Sequence, residues 1–242
     1  LIVFPIRSFF SQRVGFTVFF RRNGRWMART RGVSFPIHKP RTEALEYYRH
    51  FVPEKGGVVF DCGGELGLEC EQLSGMVGPE GKVFTFECLP EHALHLKEMA
   101  AKLGNVKVIE RALWNKPQTL DFFRGNTAGS SAAVSGARGQ NGQNLVNAGS
   151  EKYSVEADTL DNLWRQLVDA DTVDFLKMDI EGAEYEALEG AKMMLQCTKK
   201  IVVAAYHLRD GVKTAGRVAD MLKGHGFKVR VDENDHVYGV RL

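Results

Sequence analysis

The sequence predicts an α/β fold: a mostly parallel, seven-stranded sheet with helices on both faces, a C-terminal β-hairpin, and an N-terminal extension with a β-hairpin and a helix. Three observations support this prediction. From residue 56 onward, short apolar strands alternate with amphipathic helical segments. A glycine-rich turn follows the first strand of that series. The segment 200–206 is almost continuously apolar, which is typical of a central strand that is buried on both faces.

The 242 residues are enough for one large domain, and 44% apolar and 26% charged residues are ordinary for a globular protein. The net charge of +2 is unevenly distributed, because residues 1–55 contain eleven lysines and arginines but only three acidic residues. We therefore divide the chain into a basic N-terminal extension, 1–55, and a main domain, 56–242. The extension is also rich in phenylalanine, and this combination suits peripheral contact with an anionic membrane surface; the alternative is a solvated arm.

The four cysteines lack the C-x-x-C spacing of a zinc site, and three of them fall in predicted core elements. Buried, reduced thiols of this kind indicate a cytoplasmic protein. No stretch of 18 apolar residues occurs, so no complete membrane span is predicted. Arg7 and Arg13 interrupt the apolar N-terminus, which therefore does not fit a signal peptide.

Hydrophobic periodicity and turn residues predict the elements in chain order. The extension contains a hairpin over 15–30, with its turn at Asn23-Gly24, and a helix over 41–51 that ends before Pro53. The main domain has predicted helices at 67–76, 90–103, 159–167, 183–196 and 213–223. Its strands are predicted at 58–61, 82–87, 106–109, 118–123, 153–156, 173–180, 200–206, 227–231 and 236–240.

Residues 125–150 differ from the rest of the chain, because Gly, Ser, Asn, Gln and Ala dominate there. A long polar loop within a compact domain is usually functional or disordered. We predict a mobile loop near the functional site; the alternative is a disordered insertion without a role.

The turn after the first central strand contains Asp61, Gly63, Gly64 and Gly67. Its glycines do not have the G-x-G-x-x-G spacing of dinucleotide-binding proteins. The pattern D-x-G-x-x-x-G instead resembles motif I of S-adenosylmethionine (SAM) methyltransferases. The resemblance implies that this turn, including Glu65, holds SAM as a cofactor. A glycine-rich turn without a ligand is the alternative.

Glu87 ends the second central strand, 20 residues after Gly67. In Rossmann-like sheets, an acidic residue about 20 residues beyond the glycine-rich turn accepts hydrogen bonds from ribose hydroxyls. We assign this role to Glu87; the alternative is a surface carboxylate at a strand end. Ala112 follows the third central strand, where it would help to enclose an adenine ring.

The fourth central strand ends in alternating charges. Lys177, Asp179 and Glu181 are spaced by two, so they share one side of an extended chain at the sheet edge where ligands bind. Asp179 could hold the ammonium group of the cofactor, and Lys177 and Glu181 could contact a substrate. The alternative is an ion network that braces the strand end. A divalent metal beside Asp179 and Glu181 is a further alternative, but a complete set of ligands is not visible, and no metal site is assigned.

Tyr206 and His207 follow the fifth central strand at the same edge of the sheet. Histidine suits general base catalysis because its pKa lies near neutrality. We predict that His207 is the general base and that Tyr206 contacts the substrate. Asp179 is the alternative base or an orienting partner, and His207 could instead only hydrogen-bond a loop.

Three segments together resemble the FkbM family of methyltransferases: L-K-M-D-I-E-G-A-E at 176–184, D-C-G-G-E-L-G at 61–67 and D-T-L-D-N-L at 158–163. The resemblance implies the SAM-methyltransferase fold and methylation of a hydroxyl oxygen on a sugar, glycan or other secondary metabolite. One departure is Gly64-Glu65, where the family usually has Ala-Asn. Glu65 brings a negative charge close to the expected methionine end of SAM.

Two other functions remain open at this point. The basic extension could hold RNA phosphates for an RNA methyltransferase, but no RNA-binding module is recognisable, so a nucleic-acid partner is not expected. Glu65 could instead mark a non-catalytic binding protein on a degenerate methyltransferase fold. A small-molecule or glycan acceptor is the favoured partner.

Overall fold

The computed structural model of the chain describes residues 18–30, 33–37, 45–123, 152–168 and 171–241. Its N-terminal part is a three-stranded antiparallel sheet of β1 (Val18–Arg22), β2 (Arg25–Thr30) and β3 (Val33–Ile37). Asn23 and Gly24 form the predicted turn, with the positive φ angles of 51° and 77° that a two-residue hairpin turn favours. The prediction missed β3, which contains Pro36, a residue found in sheets mainly on edge strands.

The prediction of a helix over 41–51 is wrong for residues 45–51, the part that the structure describes. Leu45–Tyr48 forms a single 3₁₀ turn, and residues 49–51 are not helical. Tyr47 and Tyr48 are both buried against the main domain, at 4% and 1% exposure. Adjacent side chains on an α-helix point about 100° apart. Burial of both tyrosines against one domain therefore competes with a regular helix at this point. Residues 38–44 and 1–17, with their predicted helix start and membrane contact, lie outside the described residues.

The main domain alternates strands and helices as predicted. In chain order its elements are β4 (Val58–Cys62), α1 (Leu68–Val77), β5 (Lys82–Phe86), α2 (Pro90–Leu103), β6 (Val106–Ile109), β7 (Ala112–Leu113), β8 (Gln118–Phe123), β9 (Lys152–Asp158), α3 (Leu160–Leu167), β10 (Val173–Met178), α4 (Glu184–Glu189), α5 (Lys192–Cys197), β11 (Thr198–Ala204), β12 (Leu208–Arg209), β13 (Val212–Lys213), α6 (Ala215–Gly224), β14 (Lys228–Val231) and β15 (His236–Val240).

The central sheet has seven strands in the order β14-β15-β11-β10-β4-β5-β6. The five strands from β11 to β6 are parallel, and β15 is antiparallel to both β11 and β14. This confirms the predicted mostly parallel sheet with a C-terminal hairpin. The chain runs outward from β4 through β5 to β6 and then returns to β10 on the other side of β4. Such a reversal opens a crevice at the carboxyl ends of the strands, where ligands bind in α/β folds.

Both faces of the sheet are buried. Val59, Phe175 and Val202 pack on the face covered by α1, α2 and the two tyrosines of the extension. Their chain neighbours on the same strands point to the opposite face, which α3 to α6 cover. Every residue of β10 is buried, as expected for a central parallel strand. This rigid centre holds the strand ends that form the site.

Three local features differ from the prediction. The helix predicted over 183–196 is two helices, α4 and α5, which are separated by the non-helical backbone of Gly190 and Ala191. The strand predicted at 118–123 is confirmed, but as part of a separate sheet with the order β7-β9-β8. The short hairpin β12–β13 was missed, although Asp210-Gly211 is a good turn signal.

The predicted mobile loop over 125–150 lies outside the described residues. Among the helices that the structure describes, none is long and apolar enough to cross a bilayer.

Candidate active site

A pocket opens at the carboxyl ends of β4, β5 and β10, where the strand order reverses. It has about 730 Å³ of space when the solvent at its open mouth is included. Seven predicted site residues line it, namely Gly63, Glu65, Glu87, Ala112, Lys177, Asp179 and Glu181. The other lining residues are Glu69, Phe86, Cys88, Arg111, Leu113, Phe122, Ile180 and Ala183.

The glycine-rich turn packs tightly against the end of β10. Gly63 has a φ of 86°, and a Cβ there would lie 1.8 Å from the carbonyl oxygen of Asp179. The backbone N–H groups of Gly63 and Gly64 both donate to the carbonyl of Phe86, at 3.0 Å. Gly64 and Gly67 lie in the turn but do not line the pocket. A glycine at 63 is therefore required by the close contact of two strand ends.

Asp61 lies beneath the turn and is fully buried. One of its carboxylate oxygens accepts a hydrogen bond from Thr85 at 3.0 Å, and the other lies 3.3 Å from the Lys177 ammonium. Lys177 also donates to the carbonyl of Gly63 at 2.6 Å. Burial opposes the charge of Lys177, but the carboxylate of Asp61 outweighs it and keeps the pKa of Lys177 above its ordinary value. Asp61 and Lys177 thus brace the turn from within the sheet.

Glu87 is held at the pocket wall by the backbone. Its Oε2 accepts a hydrogen bond from the N–H of Glu65, and its Oε1 accepts one from the N–H of Leu89, both at 2.8 Å. Burial raises the pKa of Glu87, whereas these N–H groups act in the opposite direction. A carboxylate oxygen has two lone pairs, so both oxygens can still accept a hydrogen bond from a ligand.

The two ends of the pocket differ in chemistry. Phe86, Ala112, Leu113 and Phe122 provide apolar surface at the end near Glu87. The lining as a whole is acidic: it contains five carboxyl groups, including that of Glu87, and two cationic side chains, of which Lys177 is already paired with Asp61. An acidic pocket with an apolar end suits a ligand that joins a planar ring to a positively charged group.

Glu65 and Glu69 contribute to this acidic lining. Glu65 has a φ of 43°, in the left-handed region that few non-glycine residues adopt. Burial raises the pKa of Glu65, and it raises the pKa of Glu69 to about 7. Sequence reasoning missed Glu69, although an acidic residue in the first turn of the helix after a glycine-rich turn was a usable signal.

Asp179 lies at the inner end of the pocket among four neighbours. Its Oδ2 accepts hydrogen bonds from the hydroxyl groups of Tyr47 at 2.7 Å and Tyr206 at 3.0 Å. Burial alone would raise the pKa of Asp179, but His207 and Lys177 together with these hydroxyl groups lower it. The carboxylate is therefore ionised. Tyr47 belongs to the N-terminal extension, and no sequence signal connected it to the site.

His207 is fully buried behind Asp179. Its Nδ1 lies 3.0 Å from Oε1 of Glu184, and its Nε2 lies 3.3 Å from Oε2 of Glu181 and 3.7 Å from Oδ1 of Asp179. Burial alone would lower the pKa of His207, but Glu184 and Glu181 outweigh it and raise that pKa well above its ordinary value. Glu184 is the last residue of the 176–184 segment, and the sequence analysis predicted no role for it.

The family comparison agrees with this geometry. The model of the methyltransferase FkbM domain matches residues 61–229, from the glycine-rich turn to β14. The chain belongs to the FkbM methyltransferase family. The match covers the pocket and leaves the N-terminal extension outside it.

Individual relatives of this FkbM-family chain are distant. The 2-O-methyltransferase NoeI of Sinorhizobium fredii (strain NBRC 101917 / NGR234) is 26% identical over 174 residues, which are 68% of this chain and 70% of that protein. The solved FkbM methyltransferase of Methylobacillus flagellatus KT superposes with a TM-score of 0.50 and 16% identity. That superposition covers 80% of this chain and 46% of the other, so the chain spans just under half the length of that relative.

Aeropyrum pernix fibrillarin, solved with natively bound S-adenosyl-L-methionine, superposes with a TM-score of 0.52 and 16% identity. The superposition covers 95% of this chain and 84% of fibrillarin. At this identity the likeness shows the fold, which is the α/β methyltransferase fold.

Proposed function

We propose that this chain transfers a methyl group from SAM to a hydroxyl oxygen of a sugar, glycan or similar small molecule. Its family is one of methyltransferases, and the related protein NoeI is a 2-O-methyltransferase. The observation that carries the proposal is the carboxylate of Glu87, fixed by two backbone N–H groups on the wall of a pocket at the switch point of the sheet.

The residues of the pocket fit SAM by their chemistry. Glu87 can accept hydrogen bonds from both ribose hydroxyls, and Phe86 and Ala112 offer an apolar wall for adenine. Glu69 and Asp179 place carboxyl groups where a cationic ligand gains from them. When bound, SAM supplies a methyl group on a positively charged sulfur, already activated for displacement.

Within this proposal, Asp179 is a better proton acceptor than His207. The raised pKa of His207 means that its imidazole is protonated, and a protonated imidazole cannot act as a base. Asp179 is ionised, lines the pocket, and uses only Oδ2 for the two tyrosine hydroxyls. Its Oδ1 is left to orient the acceptor hydroxyl and take its proton. His207 then serves as a positioning residue behind Asp179.

A methyl-transfer assay tests the proposal. The full chain would be incubated with methyl-labelled SAM and a panel of mono- and oligosaccharides, and products would be located by mass spectrometry and NMR. We expect the label in an O-methyl ether. Asp179→Asn should lower kcat by about 10²–10⁴-fold. The matched control is Glu98→Gln, since Glu98 is exposed on α2 and should leave kcat unchanged.

Other outcomes would contradict the proposal. Label found on nitrogen would reject O-methylation. Label transferred to RNA but to no small molecule would support the RNA methyltransferase alternative. No transfer, together with no binding of SAM by the folded chain, would support a non-catalytic binding protein.

A further inference from the structure

Three metal-ligating atoms converge at the inner end of the pocket. Nε2 of His207 lies 3.7 Å from Oδ1 of Asp179 and 3.3 Å from Oε2 of Glu181, and all three atoms lie within 4.8 Å of one another. Adjacent ligands on an ion with bonds of about 2.1 Å are separated by roughly 3.0–3.4 Å. The three donors therefore need only small movements to share one ion.

Two of these atoms are buried without a hydrogen bond. Oδ1 of Asp179 and both ring nitrogens of His207 make no hydrogen bond of acceptable geometry with any residue that the structure describes, although Nε2 lies 3.3 Å from Glu181 and Nδ1 lies 3.0 Å from Glu184. His207 itself is fully buried. A buried polar atom without a partner costs roughly 1–3 kcal/mol, so each such atom needs a physical explanation. A ligand shared by both atoms would explain them together.

The other polar atoms of His207 and Asp179, Nδ1 and Oδ2, face groups of the protein. Nδ1 of His207 faces Oε1 of the fully buried Glu184 at 3.0 Å, and that oxygen also accepts a hydrogen bond from the N–H of Gly182 at 3.0 Å. Oδ2 of Asp179 is occupied by the hydroxyl groups of Tyr47 and Tyr206. A carboxylate behind a histidine is the usual way in which proteins orient an imidazole that binds a metal.

The backbone at Glu181 supports the same interpretation. Glu181 has a φ of 56°, in the left-handed region that few residues other than glycine adopt. The next residue, Gly182, also has a positive φ, at 96°. Strained backbone of this kind persists mainly at functional sites. Here the unfavourable angle carries the Glu181 carboxylate to within 3.3 Å of His207.

The local charge also favours a divalent ion. Asp179, Glu181 and Glu184 place three carboxyl groups around one imidazole. A divalent cation bound among them would supply two positive charges against this cluster, and it binds the neutral form of an imidazole.

We propose that Asp179, Glu181 and His207 bind a divalent cation and that Glu184 orients the histidine. Two carboxylates and one imidazole suit Mn²⁺ or Zn²⁺ better than Ca²⁺, which prefers oxygen ligands alone. Three protein ligands leave coordination positions open towards the pocket, as in catalytic metal sites. Cation binding itself does not depend on the proposed function. A role for the ion does depend on it: the ion would bind the acceptor hydroxyl and lower its pKa, and Oδ1 of Asp179 would then hold the ion while the hydroxyl proton passes to solvent.

The test is a titration of the full, chelator-treated chain with Mn²⁺ in the absence of SAM and acceptor, followed by the electron paramagnetic resonance signal of free Mn²⁺. Zn²⁺ is added in a competition experiment. We expect one ion per chain and a rise in Tm on saturation. Asp179→Asn and Glu181→Gln should each weaken binding at least tenfold, and Glu184→Gln by about 10–100-fold. The matched control is His95→Ala on the exposed side of α2, which should bind Mn²⁺ normally.

If Asp179→Asn does not fold, Glu181→Gln is the deciding variant. The Glu181 side chain is 33% exposed and glutamine has nearly the same size, so this variant should fold. Absence of binding at millimolar Mn²⁺ and Zn²⁺, or equal affinity in Glu181→Gln and the unaltered chain, would overturn the proposal. SAM binding by the metal-free chain, measured separately by calorimetry, keeps the two proposals apart. If SAM binds and the cations do not, the metal site alone is rejected.

Discussion

Asp179 shows how single contacts set the properties of this site. Two tyrosine hydroxyls, one from the extension and one from just after β11, fix Oδ2 of the carboxylate, and Oδ1 lies buried 3.7 Å from Nε2 of His207. The same hydrogen bonds, with the nearby cationic groups, lower the pKa of Asp179 despite its burial. Tyr47→Phe would remove one of these hydrogen bonds without changing the packing volume.

Glu69 gives a pH-dependent prediction at this scale. Its pKa is raised by burial to about 7 in the folded chain, from 4.5. The folded state thus binds more protons than the unfolded state between pH 4.5 and 7, so stability falls as the pH rises through that window. Glu69→Gln should remove this loss and stabilise the chain at pH 8 by about 1–3 kcal/mol.

Urea unfolding between pH 5 and pH 8 measures this effect. The matched control is Glu80→Gln, because Glu80 is exposed and should leave the pH dependence of the unfolding free energy unchanged. Parallel stability curves for Glu69→Gln and the unaltered chain would show that Glu69 does not titrate in this window.

The sequence could predict which strand ends would meet, but it could not predict most side-chain partners. Asp61 lies near the end of β4, and Glu87 and Asp179 directly follow β5 and β10; the carboxyl ends of such parallel strands share one edge of the sheet. That His207 faces carboxylates through both nitrogens depends on how β12 and α4 pack. That Tyr47 reaches Asp179 from 132 positions away is a purely tertiary contact.

At the scale of elements, Asp161 on α3 caps a different helix. Its carboxylate accepts hydrogen bonds from the backbone N–H groups of Met193, at 3.0 Å, and Met194, at 2.8 Å, in the first turn of α5. The first N–H groups of a helix have no partner within it, so losing such a cap costs about 1–2 kcal/mol. Asp161→Ala should lower the unfolding free energy by that amount.

Denaturant unfolding of Asp161→Ala checks this prediction. The control is Asp220→Ala on α6, because the Asp220 side chain is 77% exposed and should change stability little. Equal stability of the two variants would mean that solvent replaces the Asp161 carboxylate at α5.

The same region explains why one predicted helix is two. Hydrophobic periodicity runs through residues 183–196, so a local pattern cannot show the break. At the break, the carbonyl of Gly190 accepts a hydrogen bond from the N–H of Asp161 at 3.0 Å, and the Trp114 backbone leaves no room for a Cβ at residue 190. Both are contacts between distant parts of the chain. The hairpin β12–β13 was missed for a different reason. Its turn, Asp210-Gly211, carries a recognisable local signal that the prediction did not use.

At the scale of the whole molecule, the extension is tied to the C-terminal hairpin. Arg49 forms an ion pair with Asp232 at 2.9 Å and also contacts Glu233. Tyr238 of β15 donates a hydrogen bond to the carbonyl of Glu46 at 2.7 Å. Tyr47 of the same segment donates to Asp179, so the segment from Glu46 to Arg49 contacts both the C-terminal hairpin and the site.

A double-mutant cycle on Arg49→Ala and Asp232→Ala measures the interaction energy between these two side chains. The two side chains are only 12% and 2% exposed, so we expect a coupling energy of about 1–3 kcal/mol in urea unfolding. The control is the exposed pair Lys97–Glu110, with exposures of 51% and 41%, which should give less than about 1 kcal/mol. Equal coupling energies for the two pairs would mean that Arg49 does not join the extension to the main domain.

The most direct test of the central claim, a SAM-binding site organised by Glu87, is a calorimetric titration of the full chain with SAM and with its demethylated product. We predict micromolar binding of both, weakened about tenfold or more in Glu87→Gln, because the amide can accept fewer hydrogen bonds from the ribose. Glu98→Gln on exposed α2 should bind like the unaltered chain. A folded chain that binds neither compound, or that binds them equally well with Glu87→Gln, would contradict this account.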